Sequence, residues 1–300
     1  MTGRRLGFIG LGNMGGRMAR RLVDAGHLVL GYDVDPERAA KVGVEAFASI
    51  SDVAVATDCI LLSLPDSSVV EKVVEGRGGL LEASRRGQVI IDLSTAAPSS
   101  TQRLHGLLGG KGVELVDAGI SGGAAAAENG TLTIMAGGRK TVVDGLAWVF
   151  EPIASKVHWM GESGAGHSTK LLNNFLNAVS LAASAEVLLA ARQAGLDLAT
   201  VLEVINSSSG VNFATLNRFP RIIEGDYLEG GLTSKLMLKD VIMYVEHVRE
   251  LGVPSLNAAG PIASFGAASQ LGYGDQISNR VVDALGDLCG GIRLQPGGEL

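Results

Sequence analysis

The 300-residue chain is 46% hydrophobic and 19% charged with a net charge of −6, which excludes a disordered chain. With no basic run longer than "RR", a polyanionic nucleic-acid partner is excluded too. The length exceeds what one core normally fills, so two domains are expected.

From the N-terminus, "RLGFIG", "HLVLGY", "DCILLSL", "QVIIDLS" and "VELVDAG" are short apolar runs ended by turn residues, and read as strands. Between them, "NMGGRMARRLVDAG", "SISDVAVAT", "SSVVEKVVEG" and "PSSTQRLHGLL" have helical spacing. Such alternation predicts an α/β domain, a Rossmann-type parallel sheet covered on both faces. "TLTIMAGG" and "KVHWMG" add one or two further strands. Strand signals stop near Gly164. A helix over 166–194 is predicted to end at Gly195, followed by helices over 198–207, 213–223, 234–251, 257–271 and 277–288. The expectation is a nucleotide-binding domain over 1–163 joined by a long helix to an all-α substrate and oligomerisation domain over 164–300. The glycine-rich tail from residue 290 is expected to be mobile.

"GFIGLGNMGG" holds Gly10, Gly12 and Gly15 in the spacing G-x-G-x-x-G, directly after the first strand and at the mouth of a helix. Gly10 serves the tight turn, Gly12 lets a pyrophosphate approach the backbone, and Gly15 lets helix and strand pack closely. Leu11, Asn13 and Met14 complete the loop. Asp33 closes the second strand twenty-three residues after Gly10, where a carboxylate can accept the ribose hydroxyls of NAD. Asp35, ahead of "PERAAK", suits a helix cap better. NAD is therefore the expected cofactor, with NADP open as an alternative.

Lys170 heads the long helix, and the fifteen residues after it carry no charge. At 100° per residue, Asn173, Asn174 and Asn177 flank the lysine, with Ser180 and Ser184 on the same arc. Leu171, Leu172, Phe175, Leu176 and Val179 fill the opposite arc. A polar arc without acid–base pairs is not an ordinary solvated face; it points to a cleft, a ligand or another subunit. A cation at a helix N-terminus is disfavoured, which lowers the lysine's proton affinity and suits a general base. His167 is the rival base, but reads better as a polar residue at the start of the helix.

Cys59 sits in an apolar run and reads as a buried structural thiol. The scattered histidines and cysteines lack metal-ligand spacing, so no metal is expected. No 18-residue uncharged apolar span occurs, so no membrane-spanning helix is expected. A cytoplasmic enzyme with no nucleic-acid or membrane partner is the resulting expectation.

These motifs, in this order, resemble the β-hydroxyacid dehydrogenase family, which includes 3-hydroxyisobutyrate dehydrogenase and 6-phosphogluconate dehydrogenase. The resemblance covers nearly the whole chain. It implies cofactor contacts at the glycine loop, at Leu64 and Pro65 in "LPDSSVVEKV", at Thr95 in "DLSTAAPSST" and at Lys239 in "LMLKD", with Asp240 after it. It implies a substrate loop at Ser121, Gly122 and Gly123 in "DAGISGG", whose N–H groups suit a substrate carboxylate. Lys170 and Asn174 in "GAGHSTKLLNN" are then the catalytic pair. The implied reaction is hydride transfer between NAD and a small 3-hydroxy acid or its semialdehyde. The helical half, rich in Ala and Gly over 257–272, suits a homodimer or homotetramer.

Two departures bear on the substrate. Gly119-Ile120 replaces the family's usual Pro-Val, and Leu232 stands where many members have phenylalanine. A decarboxylating 6-phosphogluconate-type enzyme and a non-catalytic cofactor-bound module are the alternatives. The asparagines of the lysine arc speak against the first, and the joint presence of Ser121, Lys170 and Asn174 against the second. Imine reductases share the architecture but replace the lysine.

Overall fold

The computed structural model describes residues 3–295. It contains strands β1 (Arg5–Ile9), β2 (Leu28–Tyr32), β3 (Glu45–Ala46), β4 (Cys59–Leu62), β5 (Val89–Asp92), β6 (Glu114–Ser121), β7 (Leu132–Gly137) and β8 (Ala154–Gly161). The helices of this half are α1 (Asn13–Asp24), α2 (Glu37–Val42), α3 (Ile50–Ala56), α4 (Ser67–Glu75), α5 (Leu80–Ala83), α6 (Pro98–Gly109), α7 (Gly123–Asn129), α8 (Lys140–Gly145) and α9 (Ala147–Phe150). The strands form one sheet in the order β3-β2-β1-β4-β5-β6-β7-β8.

The central strands β1, β4, β5 and β6 bury alternate residues on opposite faces. Phe8, Leu61, Ile91 and Val116 pack with Met18 and Leu22 of α1 in one cluster. Ile9, Ile60, Leu62, Ile90 and Leu115 pack with Val70, Val74, Leu104 and Leu108 in the other. Such two-sided burial is why the strands read as continuous apolar runs.

The sheet is not wholly parallel: β7 runs antiparallel to β6, and β8 is parallel to β7. The cause is connection length. Only residues 122–131 separate β6 from β7, fewer than the dozen or so that a parallel crossover needs. Residues 138–153, with α8 and α9, are enough to return the chain for β8.

The chain divides into two compact units, one up to Lys170 and the other from Leu171 onward. The division falls inside α10 (Ala165–Gln193). The second unit adds α11 (Leu198–Asn206), α12 (Phe213–Asn217), α13 (Phe219–Ile222), α14 (Ser234–Glu250), α15 (Ala259–Ala268) and α16 (Val281–Leu288). The single helix expected over 213–223 is broken at Arg218 because Pro220 sits in the first turn of α13, where a missing N–H is tolerated but continuation of the preceding helix is not. The helix expected over 257–271 is likewise shorter, with a 3-10 turn before α15 and a π turn after it.

By length and composition α10 could cross a membrane, although the sequence criterion of eighteen uncharged residues had excluded any such helix. Its apolar side chains serve a protein core instead: Ala178, Leu181, Ala185 and Leu188 are fully buried among Phe219, Met237 and Phe265. The mobile tail is also corrected in part. Ile292 and Leu294 are buried in this same core, while residues 296–300 lie outside the described residues.

Candidate active site

In the first unit the candidate loops all follow the carboxyl ends of neighbouring strands. The glycine loop follows β1, Leu64 and Pro65 follow β4, Thr95 follows β5, and Ser121 to Gly123 follow or end β6. The strand order reverses between β1 and β4, the switch point at which open α/β sheets bind ligands.

Gly10 has φ of +92°, and a Cβ there would stand 2.3 Å from the Ser63 carbonyl oxygen. At Gly15 a Cβ would stand 2.0 Å from the Gly10 carbonyl oxygen. Those two glycines are dictated by the fold. Gly12 differs, since a Cβ there would meet only Arg38 Nη1, at 3.4 Å. The open space over Gly12 adjoins the N-terminus of α1, whose N-cap residue is Gly12 itself, with no side chain to cap the helix. Residues with that geometry fit a pyrophosphate. Leu64 is held by its N–H, which donates to Ser94 Oγ at 2.9 Å.

Asp33 is braced by the loop it serves. Its Oδ2 accepts the Leu11 N–H at 2.7 Å and its Oδ1 the Asp35 N–H at 2.9 Å. Arg38 stands 3.4 Å from the same Oδ2 and 3.3 Å from Asp35 Oδ2. Asp35 accepts the Glu37 N–H at 3.1 Å, the capping contact its position suggested.

Lys170 is only 9% exposed. Its stem lies against β6: a Cβ on Gly119 would stand 2.7 Å from Lys170 Cβ and 3.2 Å from Cγ. The head of α10 is tied down by Asp117, whose Oδ1 accepts the Gly164 N–H at 2.8 Å and Oδ2 the His167 N–H at 2.9 Å. His167 is fully buried. Its Nδ1 pairs with Thr101 Oγ1 at 2.8 Å, and Nε2 lies 3.3 Å from the Asp92 carbonyl oxygen. Those contacts fit a structural histidine, in line with its reading as a polar residue at the helix start.

In the second unit Asn174 is 3% exposed and donates from Nδ2 to Asp240 Oδ2 at 2.5 Å. Asp240 is 1% exposed, and Lys239 Nζ lies 3.2 Å from its Oδ1. The sequence picked out Lys239 as the contact and left Asp240 without a role. It also read the polar arc as free of carboxylates, which holds for α10 alone, since α14 supplies one. Two further expectations for the arcs are corrected. Ser184 is engaged structurally, accepting from Asn212 Nδ2 at 3.2 Å. Leu172 and Leu176, on the apolar arc, are 43% and 66% exposed, whereas Leu171 and Phe175 are buried.

Gly122 and Gly123 have φ of +129° and +70°, a turn that only glycine adopts without strain. Both are exposed, and Ser121 is half-buried. Cys59 is buried as expected, and burial pushes its thiol up to about 12.

A glycine loop at the switch point, an acid after β2 and a helical second unit define a dinucleotide-dependent oxidoreductase. Residues 5–161 match the family described as the NAD-binding domain of 6-phosphogluconate dehydrogenase, and residues 164–285 the NAD-binding of NADP-dependent 3-hydroxyisobutyrate dehydrogenase. The chain is 35% identical to 2-(hydroxymethyl)glutarate dehydrogenase of Eubacterium barkeri, covering 93% of each. It is 34% identical to an NAD-dependent L-serine dehydrogenase of Pseudomonas aeruginosa, over 79% of this chain and 83% of that one. Among solved structures it is similar to 3-hydroxyisobutyrate dehydrogenase of Mycobacterium tuberculosis with L-serine, at a TM-score of 0.85 and 28% identity, covering 95% and 99% of the two chains. The chain belongs to the β-hydroxyacid dehydrogenases of the 3-hydroxyisobutyrate dehydrogenase type, NAD(P)-dependent enzymes acting on CH–OH groups.

Proposed function

We propose that the enzyme oxidises a small 3-hydroxy acid to the 3-oxo acid or semialdehyde, with NAD preferred over NADP. The observation that carries this reading is Lys170, a buried ammonium-bearing side chain seated beside Gly119, two residues before Ser121 on the same strand. Lys170 takes the hydroxyl proton during oxidation and returns it to the carbonyl oxygen in the reverse direction. A group that exchanges a proton in this way normally contributes about 10²–10⁴-fold. Asn174, one turn further along α10, orients the lysine or the substrate hydroxyl without titrating.

Ser121 and the N–H groups of Gly122 and Gly123 hold the substrate carboxylate. Gly10, Leu11, Gly12, Asn13, Met14 and Gly15 hold the dinucleotide phosphates, and Asp33 the adenosine ribose. Leu64, Pro65, Thr95 and Lys239 are the remaining cofactor contacts. When bound, the nicotinamide supplies the hydride acceptor. The names of relatives support a substrate with a carboxylate and a hydroxyl one carbon beyond the α position, as in L-serine and 3-hydroxyisobutyrate.

We extend the proposal to residues 1–163 and 164–300 as cofactor and substrate domains, to a cytoplasmic location and to a homodimer or homotetramer. Leu172, Leu176 and Val187, exposed along one helix, support self-association; sedimentation at assay concentration measures it. The experiment for the chemistry is Lys170→Ala, assayed with NAD and 3-hydroxyisobutyrate or L-serine. Turnover should fall by at least about 10²-fold with NAD affinity nearly unchanged. Turnover within a few-fold of the parent protein would remove Lys170 from the mechanism.

A further inference from the structure

Side chains alternate across a strand, so Leu115, Asp117, Gly119 and Ser121 share one face of β6. Leu115 is spent on the core. The next two positions both touch the head of α10, and the third is the proposed substrate serine.

Asp117 is fully buried and grips the helix through two backbone N–H groups, of Gly164 and His167. The structure makes room for this carboxylate with glycines. A Cβ at Gly137 would come within 2.6 Å and 2.7 Å of its two oxygens, and one at Gly166 within 2.9 Å of Oδ2. Gly119 then leaves the space that the Lys170 stem fills, with 2.7 Å between a Cβ there and Lys170 Cβ. Asp117 therefore fixes how far the helix head advances and how it is rotated, while Gly119 fixes how closely the lysine approaches the strand.

We infer that Asp117 and Gly119 are positioning residues, which together set where the Lys170 ammonium stands relative to Ser121. The inference rests on the proposed role of Lys170. The strand acts as a ruler, since successive residues on its face lie about 6.6–6.8 Å apart. A shift of about 1 Å in a reacting group is enough to cost on the order of 10²-fold in rate.

The test is a double-mutant cycle pairing Gly119→Ala and Asp117→Asn, each in turn, with Lys170→Ala. Readouts are kcat and KM for 3-hydroxyisobutyrate, NAD affinity by fluorescence titration and the thermal transition. Each single variant is expected to lower kcat by about tenfold or more, with KM and NAD affinity within about threefold. In the Lys170→Ala background the same substitutions should leave the residual rate unchanged, because no lysine remains to be misplaced. Losses that persist in that background, or a folded Gly119→Ala protein with parental kcat, would overturn the inference and leave the role of Lys170 standing. Parental turnover in Lys170→Ala alone would instead remove the reading on which it rests. If Asp117→Asn does not fold, Gly119→Ala carries the test alone, with NAD affinity reporting an intact first unit.

Discussion

Asn174 and Asp240 lie sixty-six residues apart in the chain, yet the Asn174 amide donates to the Asp240 carboxylate at 2.5 Å with both side chains buried. The amide is thereby fixed in one orientation, its oxygen turned away from Asp240 and accepting from Asn173 Nδ2 at 3.4 Å. Asp240→Ala would leave a buried donor unpaired, a penalty of about 1–3 kcal/mol. The expected result is a lower melting temperature together with a kcat reduced by about tenfold or more. Asp240→Asn, which keeps the shape and one acceptor, should recover part of the stability. Steady-state kinetics beside calorimetry separates the two effects, and parental kcat in Asp240→Ala would show that the amide needs no such orientation.

The cofactor preference follows from the charges around Asp33. Its carboxylate, proposed to face the cofactor ribose, is held by the Leu11 N–H, and two unit negative charges at 4 Å repel by about 1 kcal/mol in water and about 4 near a protein surface. Arg38 offsets part of this, since it lies 3.4 Å from the same carboxylate. NAD should therefore have the larger kcat/KM, by a margin that Asp33→Asn narrows and Arg38→Ala widens. Equal use of NADP by the parent protein would count against the assignment.

Features written locally were legible in the sequence, and features made by long-range pairing were not. Strands such as Cys59–Leu62 are buried on both faces, so their apolar runs were plain. The two-residue β3 leaves no periodicity to detect. The direction of β7 depended on a short connection whose consequence the sequence reading did not draw. In the site, the glycine loop and Lys170 stood out because spacing and missing charge are sequence properties. Arg38, Asp117 and Asp240 did not, because a charged residue on a helix or inside an apolar strand has no distinguishing pattern until its partner is brought to it. Gly119 was noticed as a departure from the family, but its closeness to the lysine stem is visible only in three dimensions.

The two cysteines should separate cleanly by reactivity. Cys59 is buried and Cys289 exposed, and burial raises the Cys59 thiol from 9.0 to about 12. Iodoacetamide at pH 8 should label one thiol in the native protein and two after denaturation, as read by mass spectrometry. The raised value carries a stability consequence. The neutral thiol's advantage is full below pH 9.0, and it is lost as pH rises toward about 12, where the unfolded chain can release a proton that the folded chain retains. Cys59→Ala should therefore flatten the alkaline decline in stability. Two thiols labelled at parental rates in the native state would refute the burial argument.

The fate of the substrate carboxylate distinguishes this enzyme from a decarboxylating relative. If Ser121, Gly122 and Gly123 hold the carboxylate, it remains bound while the hydroxyl one carbon beyond the α position faces Lys170. Decarboxylation would require an acid to protonate the enediol carbon that forms. The polar arc of α10 presents Asn173, Asn174 and Asn177, none of which titrates. Asp240, the acid that α14 contributes, already accepts from Asn174 and lies 3.2 Å from the Lys239 ammonium. Carbon dioxide should therefore not accompany each hydride transfer, although a free 3-oxo acid loses it slowly in solution. Monitoring reduced nicotinamide and carbon dioxide on one timescale, with 3-hydroxyisobutyrate and separately with 6-phosphogluconate, decides the point. Stoichiometric carbon dioxide in step with reduction, or a strong preference for the sugar phosphate, would move the enzyme to the decarboxylating branch and reassign Asp240 as the proton donor.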